Sequence, residues 1–348
     1  MAKDERLATL DSLIRHLDTG RLHLAEEELT RLHGARYTEY RSQWKAAGEF
    51  GYVPPFPLYL FMEATYRCNL RCCSCVHGYP ELRQRYSFPE ARMSWELYEK
   101  VVLEGEANGC PSISTHNNDE PLLLPDLEKR IAFAREHGFM DVIMTTNGVL
   151  FTEERVRSVM EAGVTRMLFS IDALTEETYR KVRPGGDLAK VRRALEWTLE
   201  QREHRGSRLP IVRVSFVVNR HNQHELGRFV EHYAKIVDYI DIQPYYTWKG
   251  ANDALVPEGA RPVRDFRCNG PWRELVVRAN GDVLPCPNFY GAEVVVGNVH
   301  KTPLKEIFQS PAVAKLREEF RQGIHSHPAC AACSKGCFEL DWEAPLLR

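Results

Sequence analysis

The sequence predicts an α/β fold: a partial (β/α)6 TIM-like barrel, preceded by a short helical extension and followed by a small hairpin-and-helix domain. Three observations carry this expectation. Between residues 57 and 247, six short apolar strand patterns alternate with longer helical ones, with no GxGxxG or P-loop signal among them. Residues 4–48 show helical periodicity and no strand signal. After residue 247 the alternation stops, and Asn280-Gly281 marks a hairpin turn. The expected boundaries are 1–56 for the extension and linker, 57–247 for the barrel and 248–348 for the C-terminal domain.

In the extension, Leu7, Leu10, Leu13, Ile14 and Leu17 share one helical face. Glu26, Glu27 and Glu28 face solvent on a second helix, and Thr38 to Ala47 form a third. The Tyr52-Val-Pro-Pro-Phe-Pro57 stretch breaks the pattern. Strands then fall at 58–64, 111–115, 141–146, 165–171, 211–218 and 238–243. Helices fall between them at 94–108, 125–137, 152–162, 188–204 and 222–234. In parallel α/β folds, chemistry gathers at the C-terminal ends of the strands. All six ends are polar here. They run into the Cys68–Cys75 loop, His116 to Glu120, Thr145-Thr-Asn147-Gly148, Ser170-Ile-Asp172, Asn219 to Asn222, and Gln243 to Tyr246. Beyond the barrel, a strand from Glu274 to Ala279 and a return strand from Val283 to Cys286 flank the turn. A helix is expected near 303–320.

Composition narrows the function. The chain has 348 residues, and 46 Lys and Arg against 48 Asp and Glu give a net charge of −2. That balance removes an electrostatic case for nucleic acid or a membrane surface. The longest apolar run is far short of the roughly 18 residues of a membrane span. Met1 to Leu10 has no apolar signal core, so the expected location is cytoplasmic. Ten cysteines in such a chain point to metal or redox chemistry rather than a secreted disulfide scaffold.

Those cysteines fall into two groups and a lone Cys110. Cys68, Cys72 and Cys75 read as C-x3-C-x2-C. Three thiolates on a short loop hold three corners of a cubane iron–sulfur cluster and leave one iron open. The plain alternative is a three-thiolate zinc site or buried thiols. Cys268, Cys286, Cys330, Cys333 and Cys337 form the second group. A hairpin, a helix and a C-x2-C turn can enclose one four-thiolate cluster, or a structural zinc ribbon.

From about Pro57 to Asp241, with the C-x3-C-x2-C loop following the strand Leu58 to Ala64, the sequence resembles the radical S-adenosylmethionine (SAM) superfamily. The resemblance implies a [4Fe–4S] cluster whose open iron chelates SAM. Reductive cleavage of SAM then gives a 5′-deoxyadenosyl radical that abstracts hydrogen from a C–H bond. It also implies an electron donor such as flavodoxin or ferredoxin. Asn118-Asp-Glu120-Pro121 resembles the family's Gly-Gly-Glu-Pro motif with both glycines replaced. By that likeness Glu120 and Asn118 receive the SAM ammonium. Ser170 and Asp172 resemble ribose-contacting positions, and Arg183 resembles the arginine that pairs with the SAM carboxylate. Asn147 and Gln243, at their strand ends, complete the expected cofactor contacts. Ser74 stands where the family often has an aromatic residue.

The C-terminal region resembles the twitch domain, a shortened SPASM domain holding one auxiliary [4Fe–4S] cluster. The Cys286–Cys330 gap is like that of the twitch-bearing dehydrogenase of butirosin biosynthesis. By that comparison Cys268, Cys286, Cys330 and Cys333 are the ligands. Cys337 is left as a ligand, a packing residue or a catalytic hydrogen donor. Cys73 and Cys110 are packing thiols. The expected substrate is a small molecule, a sugar or aminocyclitol epimerised or dehydrogenated at a carbinol C–H. His116, Asn117, Gln243, Tyr245, Tyr246, Trp248 and Trp272 are candidates to line its pocket. Alternatives are a peptide maturase and a non-catalytic iron–sulfur or zinc-binding interaction protein.

Overall fold

The computed structural model describes residues 8–9, 13–88 and 92–340. Leu7 and Leu10 of the first expected helix lie outside them. In chain order the strands are β1 (Arg15–Asp18), β2 (Tyr59–Glu63), β3 (Ser112–Ser114), β4 (Asp141–Thr146), β5 (Arg166–Ser170), β6 (Ile211–Val217), β7 (Tyr239–Gln243), β8 (Tyr245–Tyr246), β9 (Arg261–Pro262), β10 (Glu274–Arg278), β11 (Asp282–Leu284), β12 (Gly297–Asn298) and β13 (Cys337–Glu339). Ten of them form one sheet in the order β1-β7-β6-β5-β4-β3-β2-β10-β11-β12. β8, β13 and β9 form a second.

β2 to β7 run parallel, each paired with the next. A helix returns between each strand and the next, at Trp95–Ala107, Leu127–Glu136, Glu153–Glu161, Leu188–His204 and Leu226–Tyr233. This is the expected partial barrel. Successive side chains on a strand point to opposite faces. Leu60, Met62, Ile113, Val142, Met144, Met167, Phe169, Val214, Phe216 and Ile240 take the outer face and build the apolar core with the helices. The alternate positions, Glu63, Ser114, Thr145, Ser170, Ser215 and Gln243, turn to the barrel interior. Two further helices, Pro80–Tyr86 and Glu176–Val182, sit in the loops after β2 and β5.

The structure corrects the sequence expectation in three places. Arg15–Asp18 is a strand, not part of a helix. It pairs antiparallel with β7, Arg15 opposite Ile242 and Asp18 opposite Tyr239. Without it β7 would be an open edge with unpaired backbone groups, and that tertiary demand overrides the leucine periodicity. His16 Nδ1 meets Asp241 Oδ1 at 2.5 Å, and Arg21 donates to Ala234 O and Val237 O at 2.7 Å each. The helices Leu22–His33 and Ala35–Gly48 follow. Glu26 is half-buried rather than free in solvent: its carboxylate accepts from Arg166 Nη2 at 2.9 Å and from the Tyr37 hydroxyl. Finally, the helix expected near 303–320 is two helices, Leu304–Phe308 and Pro311–Arg321. Ser310 caps the second by accepting from Val313 N, with Pro311 in its first turn.

The C-terminal hairpin does not form a sheet of its own. β10 pairs parallel with β2, from Glu274 opposite Tyr59 to Arg278 opposite Glu63. β11 returns from the turn, where Gly281 has φ +82°. The C-terminal elements are thereby built onto the barrel's first strand.

Candidate active site

The chain leaves β2 into the loop that carries Cys68, Cys72 and Cys75. Other strand ends grip this loop. Glu120 N donates to Arg67 O at 2.9 Å. Asn147 Nδ2 donates to Asn69 Oδ1 at 2.8 Å and approaches Cys68 Sγ at 3.9 Å. Arg71 N and Cys73 N donate to Pro184 O and Val182 O at 3.1 and 3.0 Å. Arg183 Nη1 lies 3.6 Å from Cys72 Sγ. Asn219 Nδ2 and Trp248 Nε1 reach Ser74 Oγ and O at 3.4 and 3.3 Å. A side chain at Gly78 would put its Cβ 2.4 Å from Cys72 O. The loop is packed backbone to backbone.

Burial pushes all three thiols up, Cys72 to about 12, and each lies within electrostatic reach of another. Thiols held this way stay protonated unless a metal centre supplies positive charge and takes them as thiolates. The donor set fits such a centre.

Glu120 is buried, and its carboxylate is committed inside the protein. Oε1 accepts from Leu122 N at 3.1 Å and Thr146 Oγ1 at 2.6 Å; Oε2 accepts from Asn147 N at 2.8 Å. It ties the loop after β3 to the end of β4. The replaced glycines are compensated by side-chain bonds. Asp119 accepts from Asn117 N at 2.8 Å and Thr65 N at 3.3 Å. Asn118 N donates to Glu63 Oε2 at 3.3 Å, and its carbonyl accepts from His77 Nε2 at 2.6 Å. Neither Asn118 nor Asp119 adopts a positive φ.

Asp172 does, at φ +60°. Its Oδ2 accepts from Arg183 Nη2 at 2.5 Å and its Oδ1 from Val217 N at 2.8 Å. Arg183 is thus paired to Asp172 across the cysteine loop, and its buried Nε has no partner. Ser170 and Gln243 are partly buried at the ends of β5 and β7. His116 Nδ1 accepts from Thr145 N at 3.2 Å and lies 2.8 Å from Ser114 Oγ. Burial, then Arg213, lowers its pKa to about 3, so this imidazole stays neutral.

The second thiol group is equally well defined. Cys268, Cys286, Cys330 and Cys333 line one cavity with Pro271, Pro285, Tyr290 and Gly291. A Cβ at Gly291 would stand 2.9 Å from Cys286 Sγ. Burial raises all four thiols, Cys268 to about 12 and Cys330 to about 11. A zinc ion gathers its thiolates onto one atom, whereas a cubane spreads them over four irons. Four thiols around one cavity are a donor set for one four-thiolate centre of either kind.

Cys337 stands apart. It is 0% exposed, on β13 opposite Tyr246 in register. Of the three roles expected for it (ligand, packing residue or hydrogen donor), the burial of Cys337 accords with packing. Cys110 is buried at the start of β3, its Sγ 3.5 Å from Ser112 O. Sequence reasoning missed Glu63, His77 and Arg278, which fix the loops. The only signal available was the nearness of His77 to Cys75 in the chain.

Residues 62–232 match the radical SAM superfamily, and residues 268–335 match SPASM, an iron–sulfur cluster-binding domain. The chain belongs to the radical SAM superfamily. It is a radical SAM enzyme with a C-terminal domain of the SPASM or twitch kind, whose cofactors are SAM, a SAM-binding [4Fe–4S] cluster and an auxiliary iron–sulfur cluster. A GTP 3′,8-cyclase of Clostridium botulinum is 29% identical over 231 residues, which is 65% of this chain and 65% of that relative, just under two thirds of its length. A tungsten-containing aldehyde ferredoxin oxidoreductase cofactor-modifying protein of Pyrococcus furiosus is 25% identical, over 79% of this chain and 87% of its own. Streptococcus suis SuiB, solved with S-adenosylmethionine bound, shares the fold at a TM-score of 0.61 and 15% identity, over 89% of this chain and 75% of its own. No helix among the described residues is long and apolar enough to cross a membrane.

Proposed function

We propose that this enzyme dehydrogenates a carbinol C–H of a hydroxyl-rich small molecule without phosphate groups, of the sugar or aminocyclitol class. The observation that carries this is charge pairing inside the barrel. Inside the barrel, Arg183 pairs with Asp172 at 2.5 Å, Arg213 with Asp241 at 2.9 Å and Arg278 with Glu63 at 2.7 Å. Guanidiniums already matched by carboxylates inside the barrel favour a neutral ligand there over a triphosphate. The remaining interior positions, Ser215, Thr145 and neutral His116, exchange hydrogen bonds with hydroxyls.

Cys68, Cys72 and Cys75 hold the SAM-side cluster; Cys268, Cys286, Cys330 and Cys333 hold the auxiliary one. When bound, these groups supply a 5′-deoxyadenosyl radical and an electron acceptor. The chain's part is positioning. Glu120 fixes the backbone of the Asn118 loop and Asn147 around the SAM ammonium. Asp172 presents Arg183 toward the SAM carboxylate, and Ser170 and Gln243 face the nucleoside. Four ligands on the auxiliary side leave it no open corner for substrate, and Cys337 is buried on β13. Both favour dehydrogenation. The electron enters from a low-potential protein such as flavodoxin or ferredoxin, in the cytoplasm. The units 1–56, 57–247 and 248–348 serve as extension, barrel and cluster domain.

The test is anaerobic turnover of reconstituted enzyme with SAM and dithionite in deuterated buffer. A panel of sugars, aminocyclitols and nucleoside triphosphates is supplied. A product two hydrogens lighter, from an unphosphorylated substrate, is expected. One gained deuteron would instead mean epimerisation, and turnover of a triphosphate alone would overturn the reading.

A further inference from the structure

A cleft of about 390 Å³ opens at the foot of the barrel, at the opposite ends of the strands from the cysteine loop. It is lined by the helix Leu22–His33 of the extension, the helix Leu188–His204 and the turns that lead into β6 and β7. Cavities of about 300–1,000 Å³ are the usual size for small-molecule ligands. Leu24, Leu199 and Ile236, each partly buried, give it apolar surface. Its inner wall is fixed. Arg202 Nη1 donates to Asp238 Oδ2 at 2.5 Å and to Pro210 O at 3.1 Å, and Asp238 Oδ2 also accepts from Val212 N at 2.7 Å. Arg21 is held on Ala234 O and Val237 O. These groups hold the protein together. Two at the rim do not. Glu203 and Arg208, of opposite sign, are exposed, and neither forms an ion pair or a side-chain hydrogen bond with the other or with another described residue. Glu28, within electrostatic reach of Arg208, is already paired with Arg31 at 2.7 Å.

We propose that this cleft is a second ligand site, for a free α-amino acid with an apolar side chain. Arg208 takes the carboxylate, whose two oxygens match the guanidinium fork. The Ser207 hydroxyl stands beside it; its oxygen accepts from Leu209 N at 2.9 Å, and its own proton is left to give. Glu203 takes the ammonium. The aliphatic chains of Leu24, Leu199 and Ile236 take the side chain, since apolar surface leaves water there. A bare anion, a phosphate ester included, would answer Arg208 and sit beside an unanswered Glu203. A bare cation would do the reverse. A zwitterion answers both rim charges, and an apolar body covers the rest. The site shares no residue with the strand ends that carry the chemistry, so its occupant is an effector and not the substrate. Leu24 belongs to the extension, and Ile236 leads into β7 of the barrel. A ligand held by both ties one to the other and raises the melting temperature.

The experiment is a calorimetric titration of the full chain, reconstituted with iron and sulfide and saturated with SAM so that the open iron is occupied. Three probes are used: L-leucine, isocaproate, which lacks the ammonium, and isoamylamine, which lacks the carboxylate. Leucine is expected to bind with a Kd of about 1 mM or tighter. Each analogue should bind about tenfold more weakly or worse, because it leaves one rim charge unanswered. Arg208→Ala and Glu203→Ala should each weaken leucine by about tenfold or more, with iron content and SAM affinity unchanged. Both side chains are exposed and unpartnered, so both variants should melt with the parent, and added leucine should raise the melting temperature of the parent alone. No binding of leucine up to about 10 mM overturns the site. Analogues that bind as well as leucine overturn the zwitterion. Leucine binding that survives in both variants, or that is lost only when SAM is present, overturns the location by placing the amino acid elsewhere or on the open iron.

Discussion

At the scale of residues, each thiol group depends on a glycine that is not a ligand. Gly78 lies against the carbonyl of Cys72, where a Cβ would approach to 2.4 Å. Gly291 lies against Cys286, where a Cβ would approach O to 2.7 Å and Sγ to 2.9 Å. Real contacts that short do not occur, and backbone atoms in a pinned loop cannot move cheaply. Gly78→Ala should therefore displace Cys72 and lose iron from the SAM side only. Gly291→Ala should lose it from the auxiliary side only. Each variant is expected to fall from about eight irons per chain to about four, measured by iron assay, with the surviving EPR signal differing between the two. Loss from both sites in either variant would mean that the two loops fold as one unit. The thiols themselves were legible in the sequence, because ligand spacing is local. Their glycines were not, because what Gly291 must avoid is visible only once the chain has turned back on Cys286. Glu120 was found as a motif residue, yet its three hydrogen bonds make it a bracket between loops, which spacing cannot reveal.

At the scale of elements, the alternation of strands and helices was legible because each barrel element is amphipathic over its own length. β1 was not. Arg15-His16-Leu17-Asp18 is too short and polar to announce a strand, and its partner β7 lies more than 200 residues on in the chain. The extension acts as a stave and plug. β1 covers the β7 edge, while Glu26 and Tyr37 close on Arg166, which also pairs with Asp141 at 2.7 Å. Trp44 receives Arg273 at 4.1 Å, and Phe50 meets Trp272 edge-on at 4.8 Å. A chain beginning at Tyr52 would expose the β7 edge and leave the buried Arg166 with one carboxylate. Exposed edges template association. The truncated protein should elute as aggregates in size exclusion and melt lower than the full chain. A monodisperse truncation with an unchanged melting point would show that the barrel does not need its plug.

At the scale of the whole molecule, one buried ion pair joins the two halves that hold cysteines. Arg278 ends β10, and Glu63 ends β2. Arg278 Nε donates to Glu63 Oε1 at 2.7 Å, with the side chains 7% and 1% exposed. Arg278 Nη2 also donates to Tyr86 O at 2.5 Å, and its guanidinium lies over Phe88 at 4.5 Å. Glu63 Oε2 takes Asn117 Nδ2 at 2.7 Å and Asn118 N, and Asn118 O in turn holds His77 just past Cys75. A charge on the hairpin thus steadies the SAM-side loop through three intermediaries. Removing one partner of such a pair strands the other in a dry site, at about 3–5 kcal/mol, while replacing both costs far less. Glu63→Gln and Arg278→Met should each lower the urea midpoint markedly, and the double variant should recover part of the loss. Glu63→Gln should also cost SAM-side iron before auxiliary iron, since the auxiliary thiols all lie on the hairpin side of the pair. Additive losses, or equal loss of iron from both sites, would mean that β2 and β10 are held by their backbone pairing alone and that the ion pair does not transmit between the sites.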